Sequence, residues 1–279
     1  MSARGKPGRP RPSRLPEAAG AHTGATEPPW GFGGPPQQGD GGPQRGDGGP
    51  PLRLAVIGDS LAAGVGADTH GEALAGQLAR ALTGLTGRAV SWRVTARKGA
   101  TLAVVRRGLL PGLTDPPTRW RPDLVLVAAG SNDALPLRRP RAFRAEADRL
   151  VRDIRLRLGE DVPVVFAGLP PMTRVGALPR WARRPLNGYV RSLDRGLARL
   201  PRRHAAVFHL PSEGPPRLAG EWFAADRLHP SPQGYRAWAR ELAAGLATLL
   251  ESVAYVSGRG LRSPACGAGA GPAASPWRP

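Results

Sequence analysis

Five short apolar runs, each ended by a chain-breaking residue or a polar turn, limit the possible folds of this chain more than any other feature. They are Leu52–Ile57 ahead of Gly58, Ala89–Ala96 ahead of the turn 97–101, Asp123–Ala129 ahead of Gly130, Val162–Leu169 ahead of Pro170-Pro171, and Ala205–Leu210. Runs of this length and composition read as buried strands. Helical patterns separate them: Glu72–Thr83, Leu102–Leu110 stopped by Pro111, Arg141–Leu158 closed by Gly159, and Leu186–Leu200. After the fifth run, Ser231 reads as an N-cap with Pro232 in the first helical position. The helix that follows carries Tyr235, Trp238, Leu242, Leu246 and Leu249 on one face. Strands alternating with helices predict a parallel sheet covered on both faces. With right-handed crossovers this is a single three-layer α/β/α domain with a five-stranded parallel sheet, spanning residues 51–256.

The flanks read differently. Residues 1–50 are rich in Pro, Gly and Arg, and residues 257–279 in Gly and Ala, with little that can be buried. Such segments cannot offset their ordering entropy, so both are expected to be disordered tails. The sole cysteine, Cys266, lies in the second tail, which excludes an internal disulfide and a cysteine-rich zinc site. No apolar run approaches the ~18 residues of a membrane span. The basic N-terminus lacks the apolar segment of a secretory signal, which makes a cytoplasmic protein the expectation. A formal charge of +19 raises nucleic acid as a partner, and residues 52–255 alone hold 31 Lys/Arg against 17 Asp/Glu. The arginines are nevertheless spread over several helices without clustered aromatic platforms, which argues against that partner.

The first run ends in Gly58-Asp59-Ser60-Leu61. In open α/β sheets ligands bind beyond the carboxyl ends of the strands, so Ser60 stands where chemistry is done. A serine hydroxyl needs a base to take its proton and a third group to orient the base. Of the five histidines, His229 fits best. It sits in a short loop, Pro230 biases it away from helical backbone, and Asp226 three residues earlier can turn back onto its ring. A developing oxyanion needs donors, and two strand ends offer them: the N–H of Gly99, unobstructed by a Cβ, and the side-chain amide of Asn132. The N–H of Ser60 makes a third.

Gly58-Asp59-Ser60-Leu61, Gly99, Gly130-Ser131-Asn132-Asp133 and Asp226-Arg227-Leu228-His229 resemble, in order and spacing, the four sequence blocks of the SGNH (GDSL) hydrolases. The resemblance covers about residues 52–252. It implies a flavodoxin-like fold, Ser60 as nucleophile, His229 as base, Asp226 as its orienter, and an oxyanion hole from Ser60, Gly99 and Asn132. It implies no metal or cofactor, and a small-molecule acyl ester or thioester as substrate. The family includes esterases, thioesterases, lysophospholipases and carbohydrate deacetylases, so it sets the reaction class more closely than the substrate. Asp59 and Asp133 are expected to brace loops. Met172 and Trp181 either line an acyl pocket or pack beneath the loop that carries them. Phosphatase chemistry on Asp59 would need a second aspartate where Leu61 stands. A nucleotide site is disfavoured because Gly64-Val65-Gly66 lacks a third glycine and no phosphate loop follows.

Overall fold

The computed structural model describes residues 15–27, 50–212 and 220–256. The run Leu52–Gly58 (β2) is apolar on both faces, and its residues from Leu54 onward are fully buried. A strand of that kind has to lie inside a sheet that is covered on both sides. It pairs in parallel with Val90–Ala96 (β3) and with Leu124–Ala128 (β4). Val164–Ala167 (β5) and Val207–Leu210 (β6) extend the sheet beyond β4, again in parallel. These are the five parallel strands expected from the sequence.

A sixth strand comes from the N-terminal arm. Thr23–Ala25 (β1) pairs antiparallel with the outer edge of β3, giving the order β1-β3-β2-β4-β5-β6. The expectation of disorder throughout residues 1–50 is therefore corrected for residues 15–27, which run along the domain as a strap. Ala18 is buried, and the N–H groups of Ala18 and Ala19 donate to the carbonyls of Ala63 and Asp68 at 3.0 and 2.9 Å. The His22 ring lies 4.6 Å from that of His70. Without the strap the β3 edge would expose unpaired backbone groups, an outcome folded sheets avoid. Expected disorder in residues 1–14, 28–49 and 257–279 falls outside the described residues.

Alternation along each strand divides the core in two. Leu54 and Val56 of β2 and Leu124 and Leu126 of β4 face Leu74–Thr86 (α1) and Pro232–Val256 (α5), meeting Leu78, Tyr235 and Leu242. Their neighbours Ala55, Ile57, Val125 and Val127 face the opposite layer, where Pro140–Leu158 (α3) and Arg180–Leu197 (α4) supply Phe143, Leu150, Ile154 and Leu193. This is the expected three-layer architecture, with two adjustments in its helices. The segment expected to be one helix from Leu102 is a single α-turn, Leu102–Val104 (α2), followed by a π-turn to Leu109 and a 3₁₀ turn through Pro111. Pro111 sits in the first turn of that 3₁₀ piece, where its missing N–H leaves no gap. The helix expected from Leu186 starts at Arg180 and carries Pro185 within it. Among the described residues, no helix is long and apolar enough to cross a membrane.

Candidate active site

β2 lies between β3 and β4, so the three loops leaving their carboxyl ends are side by side. They carry Ser60, Gly99 and Asn132. Gly58 permits the close approach beneath the first of them: a Cβ there would fall 2.0 Å from the Ala128 carbonyl oxygen. The Asp59 N–H donates to that oxygen at 3.0 Å, anchoring the turn on β4. The chain then folds tightly, with the Val65 N–H donating to the Ser60 carbonyl at 3.0 Å. Ser60 is left half-exposed above the sheet.

The fourth loop arrives from the far end of the domain. Its ends are pinned by donation from Ala224 N–H to the His229 carbonyl and from Ser231 N–H to the Trp222 carbonyl, both 2.9 Å. The Ser231 hydroxyl accepts from the Gly234 N–H at 3.1 Å, the helix cap expected from the sequence. Inside the loop Arg227 takes a left-handed φ of 56°, a conformation non-glycine residues adopt at a cost. That reversal brings Asp226 back under His229. Its Oδ1 accepts the Leu228 and His229 N–H groups at 3.0 Å each, while Oδ2 lies 2.6 Å from His229 Nδ1.

A carboxylate can only accept, so Nδ1 carries the proton and donates to Asp226. Nε2 is then an acceptor, and the Ser60 hydroxyl donates to it at 2.9 Å. The His229 side chain is 8% exposed, which keeps water from competing for either ring nitrogen. The structure thus joins the acid, imidazole and hydroxyl singled out in the sequence into one hydrogen-bonded series.

Gly99 and Asn132 stand at the neighbouring strand ends. Gly99 has φ +77°, and a Cβ built on it meets open space, so its backbone faces outward rather than into packing. Among the described residues, no acceptor is found for the N–H of Ser60 or of Gly99. The Asn132 amide donates to Asp59 Oδ2 and to the Ala100 carbonyl, both at 3.2 Å. It therefore bridges the turns after β2 and β3, and both bonds are long enough to exchange for a stronger acceptor.

Both aspartates expected to brace loops do so. Asp133 is fully buried and accepts from the Leu102 N–H at 2.8 Å and from Arg138 at 3.0 Å. Asp59 accepts from the Leu61 N–H at 3.0 Å as well as from Asn132. Burial pushes its carboxyl up to about 7, against the lowering pull of the N–H groups of Leu61 and Gly130 and the Asn132 amide. Sequence reasoning did not foresee that Asp59 holds Asn132, and the only available signal was an acid immediately after a strand. Met172 packs into the core, whereas Trp181 is 82% exposed and so does not pack beneath its loop.

A family model described as GDSL-like Lipase/Acylhydrolase matches residues 56–237, more than half of the chain. Among curated proteins, none matches. Solved structures share the fold. The lipase Lip_vut3 from a goat rumen metagenome is 19% identical, covering 69% of this chain and 96% of its own, with a TM-score of 0.53. The structure of TesA is 22% identical, covering 71% and 99%, with a TM-score of 0.54. A family 3 carbohydrate esterase from Clostridium thermocellum is 17% identical, covering 72% and 99%, with a TM-score of 0.55. With the domain, the four blocks and the family model in agreement, the chain belongs to the GDSL-like lipase/acylhydrolase family and is an ester hydrolase.

Proposed function

We propose that Ser60, His229 and Asp226 form a catalytic triad that hydrolyses carboxylic esters through an acyl-enzyme. The observation that carries this reading is the unbroken series of 2.6 and 2.9 Å from Asp226 through His229 to Ser60. Ser60 Oγ attacks the acyl carbon while His229 Nε2 takes its proton. The carbonyl oxygen becomes an oxyanion held by the N–H groups of Ser60 and Gly99 and by the Asn132 amide, which gives up one of its long bonds to do so. The tetrahedral species collapses, the bond to the leaving oxygen breaks, and His229 returns the proton to the departing alkoxide. Water, deprotonated by the same imidazole, then attacks the acyl-enzyme, the bond to Ser60 Oγ breaks as His229 returns the proton to that oxygen, and the carboxylic acid is released. Asp226 keeps the proton on Nδ1 throughout and stabilises the imidazolium in each half-reaction.

Exposed apolar side chains support a substrate with an apolar acyl chain. Leu135 and Leu137 follow Asn132 on the same loop and are 75% and 69% exposed, and Leu228 beside His229 is 39% exposed. Each is close in sequence to the proposed donor Asn132 or to the proposed base His229, and an apolar acyl chain is the substituent that would gain by covering such exposed surface. A panel of aryl esters of increasing acyl length, with acyl-CoA thioesters in parallel, tests the reading on wild type and Ser60→Ala. Turnover of medium-chain esters, a loss on the order of 10⁴-fold or more in Ser60→Ala and fluorophosphonate labelling of Ser60 are expected. Turnover retained in Ser60→Ala would sink the triad.

A further inference from the structure

The strap that completes the sheet also reaches the oxyanion turn. Residues Arg97–Ala100 form a reverse turn closed by donation from the Ala100 N–H to the Arg97 carbonyl at 3.0 Å. With φ +77° at its third residue, Gly99, it has the type II form. In such a turn the peptide between the second and third residues can rotate about its long axis with little movement of its neighbours. Glycine at the third position tolerates both arrangements. Here that rotating peptide carries the Gly99 N–H, so its orientation decides whether the donor faces the site.

Two contacts hold the residue ahead of it. The Lys98 N–H donates to the Glu17 carboxylate at 2.5 Å, and the Lys98 ammonium donates to the Leu15 carbonyl at 2.6 Å. Bonds to ionised groups are about twice as strong as neutral ones. Glu17 is itself immobilised, because the next two residues donate to Ala63 and Asp68 in the loop that follows Ser60. Ala18 is seated against Gly64, where any Cβ would lie 2.7 Å from its methyl group. The strap therefore fastens two of the four site loops to each other from outside the family's sequence blocks.

We propose that Glu17 is a positioning residue for the reaction. By holding the Lys98 N–H on a strap that is itself bound to the loop after Ser60, it fixes where the Arg97–Ala100 turn stands, and with it the place from which the Gly99 N–H reaches the oxyanion. This rests on the reading of Gly99 as an oxyanion donor. Glu17 touches no reacting atom, and its effect falls on kcat rather than on substrate binding.

The test compares full-length wild type, Glu17→Ala, Glu17→Gln and Ser60→Ala in steady-state hydrolysis of p-nitrophenyl butyrate. The Gly99 amide resonance of ¹⁵N-labelled protein is followed in parallel. In Glu17→Ala, kcat should fall about 10- to 100-fold with KM within about twofold. Glu17→Gln, whose amide oxygen accepts the same bond, should recover most of the loss. The Gly99 resonance should broaden or split in the alanine variant and stay put in the glutamine one. A wild-type kcat in folded Glu17→Ala overturns the proposal, and so does a Gly99 resonance that stays single and unshifted there. Hydrolysis retained by Ser60→Ala instead removes the triad reading, and the Gly99 resonance then still decides whether Glu17 orients the turn. Should Glu17→Ala fail to fold, Lys98→Ala carries the same measurements, since it keeps the N–H held by Glu17 and gives up the hold on Leu15. A smaller fall in kcat is expected there, and an unchanged kcat and resonance counts against the strap.

Discussion

Asp59 shows how much of this site depends on a single buried carboxyl. It stands between Ser60 and the Asn132 amide, and the cost of burying its charge holds it protonated well above the ordinary carboxylate range, up to about 7. The unfolded chain releases that proton near 4. Between about pH 4 and pH 7 the folded chain therefore binds more protons than the unfolded one, and stability falls as pH rises through that window. Asp133 is shifted the same way by its own burial, so the comparison has to isolate Asp59. Asp59→Asn should gain on wild type by on the order of 2 kcal/mol between pH 4.5 and pH 7.5, read as urea midpoints at each pH. A parallel pair of profiles would mean that Asp59 ionises in the fold as it does in water. His229 was legible in the sequence because Pro230 and Asp226 sit beside it. The hold of Asp59 on Asn132 was not, because 73 positions separate the two and no local pattern links them.

Loops that meet above the sheet are set by contacts that no periodicity announces. Gly66, the residue after the tight turn that Val65 closes on Ser60, has φ +101°, and a Cβ there would lie 2.3 Å from the Pro230 carbonyl oxygen and 3.0 Å from the Ala224 methyl. The Ser60 loop and the His229 loop thus close on each other through a glycine. Gly66→Ala should push them apart and lower kcat by about 100-fold, the scale of a 1 Å misplacement at a reacting centre. The control is Gly84 on the surface of α1, where a Cβ meets open space. Gly84→Ala should leave kcat unchanged and raise stability by about 0.5–1 kcal/mol from helix propensity. Steady-state kinetics and thermal melts on the two variants separate the effects. The strands of this fold were readable because long buried runs have no other home. β1 was not, because three residues, Thr-Gly-Ala, carry no period, and the open edge of β3 recruits them.

Taken whole, the molecule uses several of its arginines to clamp one element to another. Arg53 pairs with Asp123, Arg93 with Asp115 and Arg106 with Glu146, each at 2.7 Å. Glu146 is buried, and its carboxyl lies below the usual range because the Arg106 and Arg149 guanidiniums outweigh the cost of its burial. Each such pair is neutral, so the net charge of +19, from 40 Lys/Arg against 21 Asp/Glu, is carried by basic residues in excess of these clamps. The strap belongs to the same scale. Removing residues 1–27 should bare the edge of β3, lower the melting temperature and make light scattering rise with concentration. An unchanged melt would mean that the edge is stable without β1. Ser60 and His229 are 169 positions apart, and the imidazole sits just ahead of α5, whose Tyr235 hydroxyl donates to the Val65 carbonyl at 2.9 Å. A chain still emerging from the ribosome, or one clipped anywhere ahead of that final helix, has the alcohol without its partner. On the proposed mechanism such a fragment cannot pass the Ser60 proton to an imidazole, so hydrolysis needs both ends of the domain together.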